Sequence, residues 1–114
     1  MNDKLLDHAS ALLKAMGNRR RLHILSLLAT GERRVGELES LVGLSQSALS
    51  QHLARLRRDG LVSTRRQAQT IFYSLTGNDV RAILEALDNL EQIKPSPHAQ
   101  QAHFGPPQRR VEAR

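Results

Sequence analysis

The sequence predicts a mostly α-helical domain with one small β-hairpin, its elements running α-α-α-α-β-β-α. Three observations lead there. Apolar residues recur at helical spacing in five separate stretches. Gly17, Gly31, Gly43 and Gly60 punctuate the first four of them. From Leu61 to Leu75 the pattern shifts to β-branched and aromatic residues, the signature of paired strands. The 114 residues suit a single domain with a modest core, which a dimer interface would supplement.

The first helix is expected from about Asp3 to Met16, where Leu5, Leu6, Ala9, Leu12, Leu13 and Met16 form a stripe. Gly17-Asn18 breaks it. The second, from about Arg19 to Ala29, carries Leu22, Ile24, Leu25, Leu27 and Leu28 over most of its circumference, which marks a central helix. Arg19, Arg20 and Arg21 crowd its start, where the helix dipole disfavours cations. An outside anion such as phosphate would explain them; plain solvation is the alternative. Thr30-Gly31-Glu32 reads as a turn. Val35, Leu38, Leu41 and Val42 mark a short third helix, and Gly43 supplies a tight turn into the fourth.

That fourth helix is the centre of interest. Ser45 stands where an N-cap belongs, and Leu49, Leu53 and Leu56 share one face. Ser47, Ser50, Gln51, Ala54, Arg55 and Arg58 fall on the other side, with no acid before Asp59. Gln can make two hydrogen bonds to adenine, Arg two to guanine, and Ser can serve either, so this face suits a DNA major groove. Taken alone it reads equally well as a solvated amphipathic helix. Its neighbours weigh for DNA: a short helix, a glycine turn and a second helix form a helix-turn-helix. Leu61–Arg66 and Thr70–Leu75 then read as a hairpin, a wing that could lie on a DNA backbone or reach a minor groove. Without an Asn-Gly or Asp-Gly pair, its tip at Arg66-Gln67-Ala68-Gln69 is expected to be long or loose. The last helix is expected to begin at Thr76, with Asp79 as its reciprocal cap and Val80, Ile83, Leu84, Leu87 and Leu90 as its stripe.

Charge is segregated along the chain. The net charge is +6. Arg55, Arg57, Arg58, Arg65 and Arg66 stand against Asp59 alone, whereas the last helix sets Asp79, Glu85, Asp88 and Glu91 against Arg81. The middle therefore faces an anion and the last helix does not. The leftover stripes at both ends, Leu5, Leu6, Leu12, Leu13, Ile83, Leu84, Leu87 and Leu90, are candidates for a homodimer interface. The domain is expected over residues 1–94, with a Pro-rich, aperiodic basic tail over 95–114.

Composition closes other routes. With no Cys there is no disulfide, thiolate metal site or thiol switch. Phe72, Tyr73 and Phe104 are too few for a single-strand stacking platform. No apolar run reaches the roughly 20 residues of a membrane span, and the start MNDKLLDHAS lacks a signal peptide's pattern, so a cytoplasmic protein is expected. No nucleophile, phosphate loop or His–carboxylate cluster speaks for an enzyme, and no cofactor is expected.

Three stretches resemble the ArsR/SmtB family of dimeric winged helix-turn-helix repressors: AMGNRRRLHILSLL (Ala15 to Leu28), LSQSALSQHLARLRRDGLV (Leu44 to Val62) and TRRQAQTIFYSL (Thr64 to Leu75). The resemblance implies a homodimer on a palindromic operator in double-stranded DNA, its recognition helices entering successive major grooves about 34–36 Å apart. It makes Gln46, Ser47, Ser50 and Gln51 the base-reading candidates. Arg55 and Arg58 are then candidates for phosphate contact, with Arg65, Arg66 and Gln67 in the wing. His52, flanking the leucine stripe, is expected to pack or bond backbone. The chain also departs from the family. Metal-sensing members use Cys on the third helix, where RVGELES has none, or Asp/His pairs on the last helix, where the nearest positions are Asp79, Leu90 and Ile93. Redox-sensing members use two Cys. No metal site is therefore expected; His8 and His23 lie on helices, and His98 and His103 in the tail.

Overall fold

The computed structural model describes residues 1–92, with side chains through Leu90, so the expected tail at 95–114 lies outside the described residues. Five helices and three strands follow in the order α1 (Asp3–Met16), α2 (Arg19–Leu28), β1 (Arg33–Arg34), α3 (Val35–Val42), α4 (Gln46–Arg58), β2 (Val62–Gln67), β3 (Thr70–Leu75) and α5 (Asp79–Gln92). Residues 1–81 make one compact unit and residues 82–114 a second, of which the structure describes the remainder of α5.

Side-chain caps set where the helices start. The Asn2 carboxamide accepts from the Leu5 amide at 2.8 Å, and Asn18 accepts from the amides of Arg20 and Arg21 at 3.0 and 3.1 Å. Glu37 reaches back to the Arg34 amide at 3.0 Å, half of a capping box for α3. Their C-terminal carbonyls are met by arginines from elsewhere. Arg21 donates to the carbonyls of Ala15 and Lys14 at the end of α1, at 2.6 and 3.2 Å. Arg20 donates to Val42 at the end of α3, at 3.1 Å, and Arg81 to Ala29 at the end of α2, at 2.9 Å. These last-turn carbonyls have no partner within their helices, and a cation there opposes the negative dipole end. Arg21 and Arg20 thus fasten α1 and α3 to α2 through these carbonyls, whereas Arg19 is exposed and has no side-chain partner among the described residues.

Helix α2 is central, as its all-round apolar surface requires. It packs against α1, α3, α4 and β3. Ile24, Leu25 and Leu28 are fully buried with Ala15, Leu38, Leu49, Leu53, Leu56 and Val80.

The structure departs from the sequence reading in three places. The β-structure is a three-stranded antiparallel sheet, ordered β1-β3-β2, with Arg33 opposite Tyr73 and Arg34 opposite Phe72. A two-residue strand is too short to leave a periodicity. The hairpin tip is tight, since Gln67 pairs with Thr70 and only Ala68 and Gln69 turn. Ala68 takes φ 56°, a left-handed conformation usually given to Gly or Asn, which is why no turn pair announced it. Finally, α5 begins at Asp79, not Thr76. The Thr76 amide bonds the Leu61 carbonyl at 3.0 Å, extending the strand pairing, and Gly77 at φ 71° interrupts the chain before the helix.

Candidate nucleic-acid interface

Helix α4 is built as its residues require. Gly43 takes φ 75°, a left-handed turn that ends α3. The Ser45 hydroxyl accepts from the Ala48 amide at 3.2 Å and starts α4. Leu49, Leu53 and Leu56 seat the helix in the core. This leaves Gln46, Ser47, Ser50 and Gln51 exposed together, a row of donors and acceptors with no carboxylate. Arg55 is less free than the sequence suggests. Its Nε donates to Asp59 Oδ2 at 2.8 Å, and the pair holds the Asp59 carboxyl below its ordinary range. Arg58 lies 3.7 Å from the same carboxylate but keeps 71% of its side chain exposed.

Arg57 does not stand out in the sequence, because at helical spacing it falls beside the leucine stripe. The structure puts it in an open cleft of about 480 Å³ between α4 and the sheet, with Ser50, Ala54, Arg58 and Tyr73. Neither Arg57 nor Arg66 meets a protein acceptor among the described residues. Charge without an internal partner therefore lies at the end of α4 and beside the hairpin tip, as it does at Lys4, Lys14 and Arg19.

In the wing, Arg66 and Gln67 are exposed at the end of β2. Arg65 is held. It donates from Nε and Nη2 to the two Glu32 carboxylate oxygens at 2.7 and 2.8 Å, and from Nη1 to Gln67 Oε1 at 3.0 Å. Its guanidinium lies 4.4 Å from the centroid of the Phe72 ring. The hydrogen bond from Arg65 draws the Glu32 carboxyl below its ordinary value, and the same bond raises Arg65.

His52 is half-buried on the flank of α4, and burial, then Arg21, then Arg20, hold its imidazole below the usual 6.5. The folded chain therefore binds this proton less readily than the unfolded one. The contribution of neutral His52 is intact above the unfolded value and is lost as pH falls through it toward the folded value. Thermal stability should accordingly decline from pH 7 to 5.5. His52→Gln should flatten that decline; an unchanged slope would remove His52 as its cause.

The dimer candidates keep much of their apolar surface open in the single chain. Leu5, Leu6, Leu13, Leu87 and Leu90 are exposed, and Leu12, Ile83 and Leu84 are half-buried. His8 Nε2 lies 3.3 Å from Asp79 Oδ2. Among the described residues no group of three or more His, Asp or Glu could hold a metal, and no helix is long and apolar enough to cross a membrane.

The arrangement is a helix-turn-helix with a basic wing, and residues 18–64 match the family model described as "Bacterial regulatory protein, arsR family". The transcriptional activator HlyU of Vibrio cholerae serotype O1 is 61% identical over 82 residues, covering 72% of this chain and 76% of that protein. The chain belongs to the arsR family. The solved structure of HlyU from Vibrio cholerae superposes with a TM-score of 0.76 at 55% identity, covering 81% of this chain and all of that one. The nodulation protein NolR of Rhizobium meliloti is 55% identical over 82 residues, covering 72% of this chain and 67% of NolR. The transcriptional repressor BigR from Xylella fastidiosa superposes at a TM-score of 0.73 and 39% identity, covering 77% and 90% of the two chains. The fold is thus the winged helix-turn-helix of DNA-binding transcriptional regulators, with α3, the Gly43 turn and α4 as its reading unit and β2–β3 as its wing.

Proposed function

We propose that this arsR-family regulator works as a cytoplasmic homodimer that occupies a palindromic operator and represses transcription, without catalysis or a bound cofactor. Two copies of α4 lie in successive major grooves. Gln46, Ser47, Ser50 and Gln51 read base edges, while Arg55, Arg57 and Arg58 meet phosphates. Arg65, Arg66 and Gln67 form the wing's share of the surface. The observation that carries the reading is the acid-free row of exposed Ser and Gln on α4 beside unpaired arginines. Phosphate binding alone would need only the arginines, so the amide and hydroxyl row speaks for base reading.

Competition binding tests it. Duplex from the protein's own upstream region should resist displacement by unrelated duplex, and equal displacement by both would defeat the reading. Gln51→Ala should weaken specific binding by about 1–3 kcal/mol and relax preference at one operator position per half-site. An unaltered preference at every position would remove Gln51 from the reading face. Activation is the second reading, favoured by the likeness to HlyU, a transcriptional activator. The same dimer serves either outcome, because the position of the operator relative to the promoter decides between them.

A further inference from the structure

We infer that Glu32 and Arg65 form a clamp that sets the pose of the wing on DNA, so that Arg65 is a positioning residue and not a phosphate contact. The inference rests on the DNA-binding reading above. Phe72 of β3 lies in register with Arg34 of β1 on one side and Arg65 of β2 on the other. Directly paired residues share a sheet face, so the Arg65 guanidinium can lie across the Phe72 ring toward β1. Glu32, just before β1, meets it there with both carboxylate oxygens. The contact thus joins β2 and β3 to the residue that leads into β1.

Two consequences follow from this geometry. First, β1 runs directly into α3, and α3 turns at Gly43 into α4. A bond from the turn before β1 to β2 therefore ties the wing to the reading unit. Without it, the base of the hairpin is still fastened to α4 through residues 59–61 and the Leu61 amide to the Leu56 carbonyl at 2.9 Å, but toward its tip only the two-residue strand pairing and side-chain packing hold it. Second, Glu32 cancels the Arg65 charge, and three guanidinium N–H groups are already used. A neutralised arginine releases no net counterions from DNA, so it adds little to the salt dependence of binding. Arg66, one residue on and without a protein acceptor among the described residues, is left to meet the backbone.

Two variants that keep the net charge test the clamp. Glu32→Asp shortens the reach by one methylene, and Arg65→Lys removes the flat fork while leaving a cation. Each is titrated against duplex from the protein's own upstream region over a range of salt. Each should weaken specific binding about five- to tenfold, and the double variant should be no weaker than either single one, as for partners in one contact. Because Arg66 leaves the backbone with the wing, the slope of log K against log salt should fall by about 1, although neither variant changes the net charge. Hydroxyl-radical protection should be lost at the wing flank and kept in the major grooves. Binding by Glu32→Asp at or above the unaltered level would overturn the clamp, as would full binding by Arg65→Lys or a uniform loss of protection. A protein with no preference for its own upstream region would instead defeat the repressor reading, a distinguishable result.

Discussion

Leu87→Glu should turn the protein into a monomer and weaken operator binding by at least about a hundredfold, the loss expected when two linked half-site contacts become independent. Leu87 is 37% exposed and Leu90 62% exposed in the single chain, on a helix whose polar face is acidic. At the other end of the sequence, Leu5, Leu6 and Leu13 are about half exposed on α1. A small domain rarely leaves this much leucine in water unless a partner covers it. A second copy is the partner that the proposed palindromic site implies, because a two-fold interface uses the same patch on both subunits. The variant would place a charge in the proposed seam, yet Leu87 is open enough in the single chain for the subunit to stay folded. Light scattering reads the mass, and competition binding reads the affinity. Leu13→Glu should act in the same direction. A dimer that survives both changes would reject the assignment of α1 and α5 to the seam.

Leu49→Ala should destabilise the fold by about 2–5 kcal/mol, against a total of about 5–15 kcal/mol for a domain of this kind. Leu49 is wholly buried, one of three leucines that seat α4. The loss combines the missing transfer energy with the cavity left under the reading helix. Thermal or denaturant unfolding measures it. A cost under about 1 kcal/mol would mean that α4 is not anchored through this side chain.

Much of this is legible in the sequence because the deciding signals are local. The Ser45 cap, the leucine spacing of α4, the glycine turn at Gly43 and the β-branched run after Gly60 each act within a few residues, and each element appears where those signals put it. What stays hidden depends on pairs distant in sequence. β1 exists because Arg33 and Arg34 find β3 some forty residues later, and two residues carry no period. Ala68 turns the hairpin at φ 56° because the strand register demands it, against its own preference. The arginines show the limit most clearly. Arg20, Arg21, Arg55 and Arg65 look like free charge in the sequence, and their carbonyl and carboxylate partners emerge only when the chain is folded. Arg57 shows the converse. Helical spacing places it near the stripe, and only the neighbouring sheet opens a cleft in front of it.

The capping arginines also change what the net charge of +6 means. Arg20, Arg21 and Arg81 each reach a carbonyl at the end of another helix, and Arg65 grips a carboxylate with two donors while lying on a ring. Arg21 and Arg65 each use two or more guanidinium nitrogens at once, a flat fork that an ammonium group cannot copy, whereas Arg20 and Arg81 each use one. Arg57 and Arg66 have no protein partner among the described residues, and the phosphate contacts proposed for them would use only the sign of the charge. The molecule thus has two vocabularies written in one letter. Drift from arginine to lysine would pass unnoticed at 57 and 66, whereas the same change at 21 or 65 would be read as damage to the scaffold.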